Sequence, residues 1–225
     1  MSNIQIAIDG PASSGKSTLA KRLAKRLHYV YLDTGAMYRC VTYLAQKAGV
    51  AAEDTPALRD LVDQMDVQFV TKENHQEVYV NQEEVTQVIR QEVVSREVSL
   101  YSALPYVREA LVAKQQAFAQ KEMGVVMDGR DIGTVVLKEA QLKIFLTASP
   151  EERGKRRYLE NQAKGYSQQS LEEIIEEIKR RDDLDRHRSM SPLQPATDAI
   201  ILDSSHLDLD QVEEEIMKLY EKCLK

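Results

Sequence analysis

Residues 5–18 read QIAIDGPASSGKST, and this stretch decides the fold. An apolar run, Ile4–Ile8, leads into Gly10-x-x-x-x-Gly15-Lys16-Ser17, the pattern of a phosphate-binding loop. A helical pattern follows at once, with Ala20, Leu23, Ala24 and Leu27 on one face. Strand, loop and helix thus stand in the order the motif requires. Glycines let the backbone curl so that successive N–H groups point at phosphate oxygens. The helix N-terminus adds its partial positive charge. In this setting Lys16 is expected to reach the transferring phosphate, and the Ser17 hydroxyl to ligate Mg²⁺. The loop implies a nucleoside triphosphate without saying what it is used for.

Four further apolar runs, Tyr29–Leu32, Val125–Met127, Leu142–Thr147 and Ala199–Leu202, are short and nearly continuous rather than alternating. That suits strands buried on both faces of a parallel sheet. Helical patterns separate them, so the expected fold class is α/β, a doubly wound parallel five-stranded sheet. Ligands in such folds bind beyond the carboxyl ends of the strands. Asp9-Gly10, Asp33-Thr34-Gly35 and Asp128-Gly129-Arg130-Asp131 all sit at those ends and should converge in one cleft. Helix starts are marked at Thr55-Pro56, and by capping-box patterns at Ser149–Glu152 and Ser170–Glu173. Val212, Ile216, Leu219, Tyr220 and Cys223 fall on one face of a last helix, which should pack on the sheet.

Two segments break the alternation. Residues 66–90 hold DVQFV and EVYV around the polar turn TKENHQ, followed by NQEEV, and read as a small antiparallel hairpin or three-stranded sheet. Arg153–Arg188 is helical, highly charged and poor in large apolar residues. It reads as a solvated helical hairpin or a mobile cover. The 225 residues fit one domain. Its expected subregions are a core (1–35, 100–150 and 185–225), an insertion (36–99) and a helical lid (151–184).

The formal charge of −6, the 6% of aromatic residues and the absence of Trp argue against a nucleic-acid platform. No run approaches the roughly 18 apolar residues of a membrane span. The amino terminus shows no secretory pattern, and the two cysteines lie far apart, so a reducing cytoplasm is expected. Against the acidic balance the arginines need a reason. Arg90, Arg96 and Arg180 are read as surface charge on helices. Arg130, in a turn directly after a strand, and Arg39, one helical turn past the Asp33-Thr34-Gly35 strand end, are read as cleft residues. A lid carrying Arg153, Arg156 and Arg157 could close over a triphosphate and exclude water.

GPASSGKST, DTGAMYR, PxVREAL, DGRDIGT, RDxxDxxR and DAIxLDSS occur in one order along the chain. Together they resemble the bacterial cytidylate kinases, over essentially the whole length. The 66–90 segment also looks like that family's enlarged acceptor domain, its insertion for binding the nucleoside monophosphate. The resemblance implies transfer of the γ-phosphoryl group of ATP, with Mg²⁺, to CMP or dCMP. By position it implies that Gly10, Pro11, Ala12, Ser13, Ser14, Gly15, Lys16, Ser17 and Thr18 bind ATP phosphates. Residues 151–167 would form the ATP lid, with Arg157 on the phosphates. Thr34, Tyr38 and Arg39 would meet the acceptor's phosphate end. Ser99, Arg108 and Asp131 would read cytosine. Arg130 and Arg188 would clamp phosphate, and Arg181 with Asp185 would hold the sugar.

Cytosine offers an amino donor and ring acceptors, so a carboxylate paired with an arginine is a sensible reader. Asp131 also reads as a turn cap, and Ser99 as a plain surface serine. Asp9 and Asp128 are strand-end carboxylates that would hold Mg²⁺ through water, although Asp9 also reads as purely structural. Thr34 stands where serine is frequent in the family, and supplies a hydroxyl all the same. No general base is nominated, because a phosphate oxygen anion is already the nucleophile. A monomer is expected, since closing subregions need freedom to move. The alternatives are a small P-loop kinase for UMP or a metabolite such as shikimate, and a nucleotide-dependent switch or ATPase. No guanine-reading NKxD motif is present to favour a switch.

Overall fold

A computed structural model describes residues 4–72 and 76–224. Five strands build the main sheet: β1 (Gln5–Asp9), β2 (Val30–Asp33), β6 (Val125–Gly129), β7 (Leu142–Thr147) and β8 (Ile200–Asp203). Their order is β2-β6-β1-β7-β8, and every pairing is parallel. The strand of the phosphate loop is therefore central. Its residues alternate between two cores. Ile6 and Ile8 face α1 (Lys16–Leu27) and α8 (Leu209–Cys223). Ala7 faces α2 (Thr34–Ala48) and α5 (Pro105–Lys121).

All five apolar runs are strands, shifted by a residue at most at their starts. Val125–Met127 grows to Gly129 because pairing with β1 continues to Asp9. One expectation fails. The last strand is not buried on both faces, since Ile200 and Ile201 are exposed. It lies at the sheet edge, paired with β7 alone. In α8, Val212 and Ile216 are buried as the pattern asked, whereas Cys223 is exposed and free.

Within the expected insertion (36–99), α2 is followed by α3 (Pro56–Gln64), capped by Thr55 Oγ1. An antiparallel sheet follows, of β3 (Val67–Thr71), β4 (Gln76–Val80) and the two-residue β5 (Glu83–Glu84). Most of the polar turn between β3 and β4 (residues 73–75) lies outside the described residues. The next turn is tight, with Asn81 and Gln82 both at positive φ. A 3₁₀ turn (Val88–Arg90) then leads into α4 (Glu92–Ser102). Val78, Val80, Val85 and Ile89 share one buried cluster with α2 and α5, so the insertion has no separate core.

The charged segment forms α6 (Pro150–Lys164) and α7 (Leu171–His187), packed on each other. Ser170 completes its capping box with Glu173. Ser149 makes only the backbone half of its own, because Glu152 turns to Lys155 instead. The hairpin is not merely solvated. Arg153 and Asp182 form a buried ion pair at 2.7 Å, and Ile174 and Ile178 are buried.

Candidate active site

The chain leaves β1 at Asp9 and must turn immediately. Gly10 has φ +145°, and a Cβ there would lie 2.0 Å from Leu146 O, so no side chain fits. Gly15, at φ +93°, opens α1 without a side-chain cap. The first-turn N–H groups of α1 are therefore left for an anion. Lys16 is buried inside the loop, where its Nζ donates to Pro11 O at 2.7 Å and to Ser14 Oγ at 3.4 Å. Burial, and after it the charge of Arg130, pushes the Lys16 ammonium down to about 7.

Ser17 Oγ donates to Asp128 Oδ2 at 2.8 Å, and Tyr31 donates to Asp128 Oδ1 at 2.7 Å. Burial, then the nearby Asp33, pushes the Asp128 carboxyl up. A hydroxyl and a carboxylate beside a phosphate loop are the hard oxygen donors Mg²⁺ takes, alongside water and phosphate. Among the described residues no His, Cys, Asp and Glu group could hold a metal unaided. The donor set thus fits a Mg²⁺ carried with a triphosphate rather than a permanent site. Asp9 does not belong to it. Its two oxygens accept from Ile132 N at 2.8 Å and Gly133 N at 2.7 Å, which fixes the chain after β6. Burial pushes its carboxyl up to about 7.

A cleft of about 1170 Å³ opens above the loop. Its walls carry Lys21, Arg39, Arg90, Arg130, Arg156, Arg157 and Arg181. Arg130 Nε reaches Asp185 Oδ2 at 2.9 Å. Arg157 is weakly tied to Glu160 at 3.4 Å. Arg181 Nε has no hydrogen-bond partner among the described residues, and burial followed by the Arg130 charge pushes its guanidinium down to about 10. Cations crowded out of water in this way repel one another and gain from a polyanion between them.

The arginines do not all fall where the sequence put them. Arg96 pairs with Glu92 on the surface and Arg180 is exposed, as expected. Arg90, read as surface charge, instead lines the cleft and pairs with Asp33 at 2.8 Å. The two are 57 residues apart, so no local pattern announced the contact. Arg153, read as part of the lid, is a buried brace from α6 to Ala12 O, Ala148 O and Asp182. Replacing it by alanine strands Asp182 and is expected to lower stability by about 3–5 kcal/mol. Urea unfolding measures this, and a change below about 1 kcal/mol would contradict the bracing role. Arg156 is fastened to Ser14 O and to Ser204.

A second polar group lies deeper. Arg108 is 1% exposed and forms an ion pair with the equally buried Asp131. Its Nη1 donates to Ser102 O at 3.0 Å, and the guanidinium lies 5.1 Å from the centre of the Tyr38 ring. Burial pushes the Tyr38 hydroxyl up to about 12. Arg188, expected to clamp phosphate, joins this group instead of the cleft wall. Its Nη atoms lie 3.9 Å from Asp185 and 4.0 Å from Asp131. Arg108 Nε, Arg188 Nη2 and Ser99 Oγ are buried with no hydrogen-bond partner among the described residues. Buried polar atoms left without a hydrogen bond are costly unless something else satisfies them. Thr34 Oγ1 is occupied, donating to Asp128 O at 2.7 Å.

The α6–α7 loop lines the cleft and bonds to the insertion. Tyr166 donates to Gln87 Oε1 at 2.6 Å, and Ser167 to Glu92 Oε2 at 2.7 Å, both across to the insertion.

The cytidylate kinase family model matches residues 6–222. The chain is 52% identical over 219 residues to a cytidylate kinase of Ligilactobacillus salivarius, covering 97% of each. It is 52% identical over 222 residues to that of Listeria innocua, covering 99% of this chain and 98% of the relative. Among solved structures, a shikimate kinase from Bacteroides thetaiotaomicron superposes with a TM-score of 0.51 at 16% identity, covering 99% of each chain. That last likeness shows the α/β kinase fold alone.

Proposed function

The chain belongs to the cytidylate kinase family, and from that premise we propose how its residues carry a phosphoryl group from ATP to CMP or dCMP. The enzyme is a phosphotransferase with CMP as acceptor. The donor's phosphates lie along residues 10–18 and the start of α1, with Lys16 and Arg157 on the γ-phosphate side. Ser17 and Asp128 would hold Mg²⁺, which when bound draws charge from the phosphate oxygens. The acceptor's phosphate meets Arg39 and Arg130. Arg181 and Asp185 take the sugar. Asp131, Arg108 and Ser99 take the cytosine, with Arg188 between base and phosphate.

A CMP phosphate oxygen attacks the γ-phosphorus as its bond to the β,γ-bridging oxygen breaks. CDP and ADP result. The nucleophile is an anion already, so no side chain needs to remove a proton. The chain's task is to align two polyanions and cancel their repulsion. The arginine-walled cleft above the donor loop, together with the buried Arg108–Asp131 pair, supports this reading best. Closure of the α6–α7 loop on the insertion would keep water from the γ-phosphate. The acceptors are small molecules, and we place the enzyme in the cytoplasm as a monomer. No helix among the described residues is long and apolar enough to cross a membrane.

The direct test follows the phosphoryl group itself. With γ-labelled ATP, Mg²⁺ and CMP, the label is expected in CDP, and chelating the metal should stop its transfer. Label released chiefly as inorganic phosphate would contradict the proposal.

A further inference from the structure

Arg39 is held by a closed ring of contacts that joins the core to the insertion. Asp33 ends β2 and caps α2, its Oδ1 accepting from Ala36 N at 2.9 Å. Its Oδ2 accepts from Arg90 Nη2 at 2.8 Å. The Arg90 carbonyl accepts from Ser95 Oγ at 3.4 Å. Ser95 Oγ in turn accepts from Arg39 Nη1 at 2.8 Å, and Ile89 O accepts from the same Nη1 at 3.0 Å. Arg39 lies on α2, so the ring returns to the helix that Asp33 caps. Asp33 and Ser95 are both buried.

The two bonds take up both Nη1 protons. The planar fork is thereby oriented, with its Nε and Nη2 donors left for a ligand. Arg39 needs such holding. It sits in the cleft wall with Arg90, Arg157 and Arg181, and burial followed by their charges holds its guanidinium well below the usual arginine range. A free side chain of this length would swing away from those neighbours, losing both alignment and rotamer entropy when an anion arrives.

We infer that Ser95 and Arg90 are positioning residues for Arg39, through which the insertion presets the fork that receives the acceptor's phosphate. The inference rests on the reading of Arg39 as a ligand of that phosphate. Neither residue touches the acceptor in this account; each acts through Arg39.

Calorimetric binding of CMP, cytidine and ATP to the intact enzyme tests it, using Ser95→Ala, Arg39→Ala and the double variant. Ser95→Ala is expected to weaken CMP by roughly five- to twenty-fold, the range of one lost hydrogen bond to a charged group. Cytidine has no phosphate, so its affinity should stay within about two-fold, as should that of ATP, because neither meets Arg39. In the Arg39→Ala background, Ser95→Ala should add little, and Arg90→Gln should act in the same direction as Ser95→Ala. If Arg39→Ala weakens CMP strongly while Ser95→Ala does nothing, the positioning role is overturned and the reading of Arg39 stands. An equal loss for cytidine in Ser95→Ala means general distortion and also overturns it. If Arg39→Ala leaves CMP binding unchanged, the reading of Arg39 falls and the positioning role with it.

Discussion

Replacing Lys16 with methionine is expected to lower kcat for phosphoryl transfer by about a hundred- to a thousand-fold, the cost of removing one preorganised charge from a developing transition state. The protein should stay folded. Methionine fills nearly the same volume, and the lysine makes only two hydrogen bonds, both within its own loop. Its ammonium is a burden to the free protein, since burial already pushes it down to about 7. Removing it should leave the thermal midpoint unchanged or slightly raised. A variant that unfolds would show that Lys16 holds the loop together. One that stays folded and retains kcat within about three-fold would place the transition-state charge elsewhere.

Asp131→Asn should act on two measurements at once. Arg108 and Asp131 are paired and both withdrawn from water. Neutralising the carboxylate leaves a buried guanidinium uncompensated, at a cost of about 3 kcal/mol in urea unfolding. The same change replaces the acceptor-only carboxylate proposed for the cytosine amino group with an amide that donates as well as accepts. Uracil carries a carbonyl there, which an amide can serve as well as it serves an amine. The ratio of kcat/KM for CMP over UMP should therefore fall by about ten- to a hundred-fold. A stability loss with an unchanged ratio would make Asp131 a structural partner of Arg108 and remove it from base reading.

The donor half was legible because its chemistry is local. A strand, six loop residues and a helix start are contiguous, and glycine is forced where a side chain would meet Leu146. The five strands were legible for a similar reason, since burial on both faces writes an unbroken apolar run. β8 shows the limit, because an edge strand can be as apolar as a central one. The acceptor half depends on contacts between distant segments, such as Arg90 with Asp33 and Arg108 with Asp131. Arg90 and Arg153 were misplaced because spacing along a helix cannot tell an arginine facing water from one reaching across a cleft. Asp9 was ambiguous for the same reason, with its amide partners 123 and 124 residues away. Ser95 carried no signal at all. It is one of several serines on α4, and only the fold brings it to Arg39.

The central claim is that one cleft aligns a triphosphate with a cytidine monophosphate. Steady-state ADP release, measured with CMP, dCMP, UMP, AMP and shikimate as acceptors, tests it most directly. CMP and dCMP should exceed the other three in kcat/KM by at least about a hundred-fold, the discrimination expected when buried polar groups would be left mispaired. No acceleration by CMP over background ATP hydrolysis, or an equal rate with shikimate, would contradict the account.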